Sequence, residues 1–156
     1  MSEEMNRFLQ NFQLPDKPEG LLPELPRNIG DIGDETLMEL YTMFMSWLSY
    51  AKTQLTLAEI DEERTRNELE YLQSSILIEQ WDNKTKGDLV TVAKAKRDID
   101  PRIVSQIEAY TSKRAYRKLV DTIFGRCERG AQVVSRELSR RISMAPQERR
   151  QNRFAP

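Results

Sequence analysis

The 156-residue sequence contains no histidine and a single cysteine, Cys127. Histidine is the usual general base and the commonest metal ligand, and both zinc clusters and internal disulfides need more than one cysteine. The sequence also has none of the glycine-rich loops that hold nucleotide phosphates. These absences argue against metalloenzyme, triad and nucleotide-hydrolysis chemistry. We therefore expect a protein that is not an enzyme and that binds no cofactor and no metal.

Long apolar runs are absent as well, and none approaches the roughly 18 residues that a membrane span requires. We therefore expect a soluble intracellular protein with no membrane partner. The length allows one modest domain. Apolar residues make up 38% of the chain and charged residues 31%, which favours long amphipathic helices or an oligomer over a compact sphere.

Charge is distributed unevenly along the chain. Residues 1–82 contain 17 acidic and 6 basic side chains, a net charge of −11, whereas residues 83–156 contain 8 acidic and 18 basic, a net charge of +10. Such asymmetry indicates that the halves neutralise one another, within or between subunits, or that the basic half binds a polyanion.

Residues 1–33 form a proline-rich arm that holds four of the seven prolines and three of the six glycines. Regular structure is nearly excluded there after about residue 14. The arm is nevertheless too apolar for a solvated linker. We expect it to dock, either on its own helices or on a neighbouring subunit.

A long helix is predicted from Asp34, because no proline or glycine follows until Gly87. Its length would be about 48 residues and about 72 Å, so it must pack against other helices of this or other chains. Apolar residues recur along it in a heptad pattern, which predicts an oligomerisation seam. The seam residues are Leu37, Tyr41, Phe44, Leu48, Leu55, Leu69, Leu72 and Ile76.

The second half of the chain is predicted to be helical after a turn near Gly87. Asp100 is placed to cap a helix that starts with Pro101 and ends near Ser143, before Pro146. The predicted fold is all-α, a long helical hairpin or bundle over residues 34–143, followed by a basic tail over residues 144–156. An apolar stripe on the last helix comprises Val120, Ile123, Cys127, Ala131, Val134, Leu138 and Ile142.

Opposite this stripe, the last helix carries a row of cations that we call the basic ridge. Arginine predominates there, and its guanidinium group suits bidentate phosphate contacts. The alternative is that the ridge pairs with the acidic side chains of the first long helix. The ridge comprises Lys118, Arg126, Arg129, Arg136 and Arg140, and Lys113, Arg114, Arg117 and Arg141 extend it as predicted nucleic-acid contacts. The acidic candidates are Glu59, Asp61, Glu62, Glu63, Glu68 and Glu70.

Several other side chains are expected to have structural roles. Trp47 and Tyr116 are predicted core residues rather than base-stacking platforms. Cys127 lies on the apolar stripe and is predicted to be a small buried hydrophobe, not a nucleophile.

The order of these features resembles the UvsY-like phage recombination mediators over about residues 37–141. Shared elements are a helix start with Tyr41 and Trp47-Leu48, the Leu69-Glu70-Tyr71 segment, and a last helix running from Leu119-Val120-Asp121 to Ser135-Arg136. The resemblance implies a non-enzymatic, ring-like homo-oligomer in the host-cell cytoplasm. Such a protein binds single-stranded DNA, displaces the single-strand-binding protein and helps to load a RecA-like recombinase.

One departure from the family and one alternative function bear on this expectation. The family has basic DNA contacts just before the Leu-acidic-Tyr element, where this chain has Arg66 and the acidic Glu68. The basic ridge is therefore the predicted DNA contact. The alternative is a phage virion structural or assembly protein whose arms strap onto neighbouring subunits, and a coiled-coil adaptor without a nucleic-acid role is a third possibility.

Overall fold

The structure is a computed structural model that describes residues 3, 4, 7, 11, 13–82 and 90–153, with the backbone alone for residues 82 and 145–153. Its regular elements are a short 3-10 helix, Ile29–Asp31, and three α-helices: α1, Asp34–Asp82; α2, Val90–Asp98; and α3, Pro101–Arg153. No strand occurs in these described ranges. The all-α prediction is confirmed.

Helix α1 is 49 residues long and begins at the predicted residue. The Gly33 carbonyl accepts a hydrogen bond of 3.0 Å from the Leu37 backbone N–H, which closes the first turn. Asp34 and Glu35 lie in that turn, where negative charge complements the helix dipole. The predicted turn at Gly87 lies outside the described residues.

The start of α3 follows the predicted capping arrangement. Asp100 Oδ1 accepts a hydrogen bond of 2.9 Å from the backbone N–H of Arg102, and Pro101 is the first helical residue. Bonds from the Arg102 side chain and backbone lower the pKa of the Asp100 carboxyl. The Asp100 carboxylate is therefore charged, and both the backbone and the side chain of Arg102 bind it.

The predicted end of the last helix near Ser143 is wrong, because α3 continues to Arg153. Proline removes one N–H donor and crowds the carbonyl four residues earlier, at a cost of about 3 kcal/mol, which bends a helix without having to end it. The residues that follow Pro146 include good helix formers such as glutamate, glutamine and arginine. Residues 144–153 of the predicted tail are consequently helical.

Two compact units divide the chain. Unit 1 contains residues 1–54 and 121–156, and unit 2 contains residues 55–120. In unit 1, Leu37 and Phe44 of α1 pack against Ala131 and Val134 of α3. The helices approach closely at Gly130, where an added Cβ would lie 2.3 Å from Phe44 Cε1.

Unit 2 has a separate core. Leu69 and Ile76 of α1 pack against Ile103 of α3, with Leu72 and Tyr110 at the edge. Ion pairs flank this core and tie the acidic part of α1 to the first half of α3. These pairs are Glu79 with Arg102, Asp61 with Lys113, and Glu62 with Arg117.

The predicted oligomerisation seam is covered largely by this chain itself. Five of its members are buried and three are half-buried. The buried members offer no surface to a second copy, because intrachain packing already removes them from solvent. Oligomerisation stays a prediction. The buried members are Leu37, Phe44, Leu55, Leu69 and Ile76, and the half-buried members are Tyr41, Leu48 and Leu72.

The described end of the arm docks on unit 1. Ile29 and Ile32 pack against its core, and Arg141 donates hydrogen bonds of 3.1 Å to the carbonyls of Ile29 and Gly30. Of the two predicted docking modes, packing on its own helices accounts for this part of the arm. Leu21, in contrast, is 89% exposed.

The core predictions for individual side chains are partly right. Trp47 and Cys127 are buried, and burial raises the pKa of the Cys127 thiol. Tyr116, predicted to be in the core, is 52% exposed. A helix turns by about 100° per residue, so Tyr116 lies about 100° around α3 from Arg117, whose guanidinium group contacts Glu62 of α1.

The apolar stripe is buried over only part of its length. Val120, Cys127, Ala131 and Val134 are buried, and Leu138 lies at the edge of the unit 1 core. Ile123 and Ile142 are exposed in the single chain.

Candidate nucleic-acid interface

The predicted cations divide between the two units. Lys113, Arg114, Arg117 and Lys118 belong to unit 2, and the arginines from Arg126 onward belong to unit 1.

In unit 2, two of the cations pair with carboxylates of α1. Lys113 Nζ lies 2.9 Å from Asp61 Oδ2, and Arg117 Nε lies 2.5 Å from Glu62 Oε2. The Arg117 and Glu62 side chains are also mostly covered. For Lys113 and Arg117, the alternative prediction is therefore correct: they pair with acidic side chains of the first long helix. Arg114 and Lys118 are exposed.

In unit 1, Arg141 is a structural residue rather than part of an open cationic surface. Only 19% of its side chain is exposed, and its guanidinium group contacts Asp34 and Glu137 at 2.6 and 2.8 Å. Together with its bonds to the arm carbonyls, these contacts use its donors. Arg141 therefore ties the arm and both long helices of unit 1 together.

Glu137 is the acidic centre of this cluster, and the sequence reasoning missed it. Its side chain is buried, and it accepts hydrogen bonds of 2.7 Å from Arg140 and 2.8 Å from Arg141 at Oε1, with a third from Arg140 at Oε2. The bonds from Arg140 and Arg141 lower its pKa to about 2. The available signal was its spacing, three and four residues before two arginines on one helix.

Arg126 and Arg140 retain part of their surface. Arg126 Nη2 lies 2.9 Å from Glu24 Oε1 of the arm, and both side chains are at least half exposed. Exposed pairs of this kind contribute little, typically 0.2–1 kcal/mol, so a phosphate can compete for Arg126. Arg140 is half exposed while it holds Glu137.

Arg129 and Arg136 differ from the other ridge arginines of unit 1 in having no partner among the described residues. Both are exposed, and neither makes an ion pair or a side-chain hydrogen bond within the described part of the chain. No carboxylate lies three or four residues from either position on α3. A spacing of seven residues puts them on one face, about 10 Å apart along the axis.

A groove of about 400 Å³ lies beside Arg136 in unit 1. One wall comes from α1 and is largely apolar, and the other comes from α3 and is largely polar. The α1 residues are Tyr41, Met45 and Leu48, and the α3 residues are Glu128, Ala131, Gln132, Ser135 and Arg136. The sequence reasoning missed the groove because its residues come from helices that lie far apart in the chain.

Metal-binding and membrane-spanning features were also sought in the described ranges. No group of three or more acidic or cysteine side chains there is arranged to hold a metal ion. Of the acidic run on α1, Asp61 and Glu62 pair with cations of α3, and Glu63 lies 3.8 Å from Arg66. None of the helices searched combines the length and hydropathy needed to cross a membrane.

Comparisons of the chain with protein-family models, curated proteins and solved structures find no match.

Proposed function

We propose that this chain is a non-enzymatic, single-stranded DNA-binding protein of the UvsY-like mediator type, which helps to load a RecA-like recombinase. The observation that supports DNA binding is the pair of exposed, unpaired arginines, Arg129 and Arg136, on one face of α3. The mediator role and the recombinase partner rest on the resemblance of residues 37–141 to that family.

The electrostatics of α3 favour a polyanion at these arginines. A guanidinium group without a carboxylate partner can form bidentate bonds to a phosphate, and the contact releases counterions from the strand. Arg126 and Arg140 lie nearby in sequence and are half exposed, so they can add weaker contacts. Within unit 1, phosphates are therefore expected at Arg129 and Arg136 first.

Two strong phosphate contacts per chain give weak binding, which a homo-oligomer would strengthen. For single strands, each neutralised phosphate contributes about −0.7 to the slope of log affinity against log salt, so two contacts give about −1.4 per chain. When the site is repeated around a ring, the first contact holds the strand close to the neighbouring sites, which raises its effective concentration there. The oligomer is part of the proposal.

The proposal is tested by fluorescence anisotropy with labelled oligo-dT at two salt concentrations. We expect binding that weakens steeply with salt, and loss of at least tenfold in affinity for the double variant Arg129→Gln, Arg136→Gln. The control is Arg27→Gln, Arg64→Gln, which removes the same charge from two exposed arginines outside the basic ridge. Equal losses in both double variants, or no binding of the native chain at low salt, would refute the proposal.

The virion or assembly role is the second candidate from the sequence. Leu21 of the arm is exposed and could contact a neighbour, but Ile29 and Ile32 already pack on this chain. Finding the chain in purified particles would favour that role over DNA binding.

A further inference from the structure

We infer that the groove between α1 and α3 in unit 1 is a nucleobase pocket, which holds one unstacked base while Arg136 binds the adjacent phosphate. This inference rests on the proposed DNA binding and assigns it a base-contacting site. It follows from the placement of an unpaired arginine at the rim of a groove that has one apolar and one polar wall.

The apolar wall suits the flat face of a base. Tyr41 packs against the unit 1 core and is half-buried, so its position is fixed before a ligand arrives. Leu48 is also half-buried, and Met45, which is 41% exposed, offers a flexible apolar surface. Stacking of a base on an aromatic side chain contributes about 1–3 kcal/mol and tolerates any base, since every base has a π-face.

The polar wall suits the edge of a base. Glu128, Gln132 and Arg136 follow one another at intervals of four residues, so they form a row about 12 Å long on one side of α3. Glu128 accepts hydrogen bonds, Gln132 donates and accepts, and Arg136 donates. All three are exposed, and none has a side-chain hydrogen bond to another described residue.

The order of charges along this row also orients the ligand. A phosphate is attracted by Arg136 and repelled by Glu128, so it binds at the Arg136 end. The base then extends toward Gln132 and Glu128, where its amino or imino hydrogens find acceptors. An aliphatic side chain in the same groove would leave these polar groups without new partners, and for this reason a base is the favoured occupant.

The first experiment compares two oligonucleotides of equal length and charge on the native chain, oligo-dT and its abasic analogue. We expect oligo-dT to bind about tenfold more tightly, in line with one stacking interaction. If the two strands bind with equal affinity and both weaken with salt as proposed, the nucleobase pocket is refuted and the proposed DNA binding is not. Failure of both oligonucleotides to bind at low salt would overturn the proposed function itself.

The second experiment locates the base. We expect Tyr41→Leu to reduce the preference for oligo-dT over the abasic strand at least threefold, and Tyr116→Leu, at an exposed tyrosine in unit 2, to leave it unchanged. The exposed Gln132→Ala variant is expected to act in the same direction as Tyr41→Leu and keeps the test valid if the latter unfolds. A preference that survives in Gln132→Ala and in folded Tyr41→Leu would refute the assignment.

Photocrosslinking provides a readout that needs no variant. With 5-iododeoxyuridine in the strand, we expect adducts in peptides that contain residues 41–48 or 128–136. Adducts confined to other aromatic positions, such as the 78% exposed Tyr71, would place the base elsewhere and refute the pocket.

Discussion

Helices α1 and α3 contribute to both units, but the cations of α3 have different roles in the two. In unit 2, Lys113 and Arg117 pair with Asp61 and Glu62 of α1. In unit 1, Arg129 and Arg136 have no such partner among the described residues. The role of a cation on α3 therefore depends on whether the facing segment of α1 provides a carboxylate.

The difference follows from the composition of α1. Residues 55–82 contain eight carboxylates, whereas residues 36–54 contain only Glu39. In that second segment the helices associate through apolar contact instead, at Phe44 and Gly130. Unit 1 has an internal ion cluster around Glu137, and its other ridge arginines face solvent or the arm.

The largest effect is expected at the close helix contact of unit 1. Gly130→Ala would place a Cβ 2.3 Å from Phe44 Cε1, so the buried ring or the helix backbone would have to shift. Overpacking of this kind costs about 1–3 kcal/mol, which thermal unfolding followed by circular dichroism would measure.

Gly125 provides the matched control for that substitution. It lies on the same helix, but a Cβ there meets no atom within 4 Å. Because alanine is the better helix former, Gly125→Ala should leave stability unchanged or raise it by up to about 1 kcal/mol. Similar losses of stability in both variants would show that the loss in Gly130→Ala does not come from the close contact with Phe44.

An intermediate effect is expected from acid at Glu137. The pKa of this carboxyl is about 2 in the folded chain, against an ordinary value of 4.5. Its contribution to stability is therefore fully present above about pH 4.5 and is lost as the pH falls toward 2. The melting temperature, measured by thermal unfolding between pH 6 and pH 2, should fall less with pH in Glu137→Gln than in the native chain.

The control for this titration is Glu108→Gln, which removes an exposed carboxylate from the same helix. The melting temperature of Glu108→Gln should fall below pH 4.5 as much as that of the native chain. If Glu137→Gln follows the native profile as closely as Glu108→Gln does, the cluster with Arg140 and Arg141 contributes nothing to stability.

The smallest effect is expected in unit 2. Asp61→Asn removes the partner of Lys113, and since both side chains are about half exposed, the cost should be about 0.2–1 kcal/mol. The freed Lys113 should raise the affinity for oligo-dT slightly at low salt. The matched control is Glu59→Gln, which removes the same charge from an exposed carboxylate of α1 that has no ion pair among the described residues, and it should leave stability unchanged. A gain in affinity as large as the loss in Arg129→Gln, Arg136→Gln would remove the distinction between the units.

Local signals in the sequence predicted the helices well. The absence of proline and glycine after Asp34 predicted α1, and Asp100-Pro101 predicted the start of α3, because capping and proline effects act within one turn. The same local signals predicted the end of α3 too early, before Pro146. A single unfavourable residue there does not outweigh the good helix formers after it.

The candidate site was predictable only in part. Arg129 and Arg136 could be selected from the sequence, since they lie on one face of the helix and no carboxylate lies three or four residues from either. The structural role of Arg141 could not, because its partners Asp34 and Ile29 are more than 100 residues away. Tyr41 was assigned to an oligomer seam, and its place in a groove opposite Gln132 depends on helix packing.

An all-α chain without histidine, with an acidic first half and a basic second half, could be predicted from the amino acids alone, because composition and helical periodicity are local properties. The pairing of the cations, the covering of the seam residues by the chain itself and the groove beside Arg136 follow from how the helices pack. Those outcomes depend on which segments of α1 and α3 lie opposite each other, and that pairing joins residues remote in the chain.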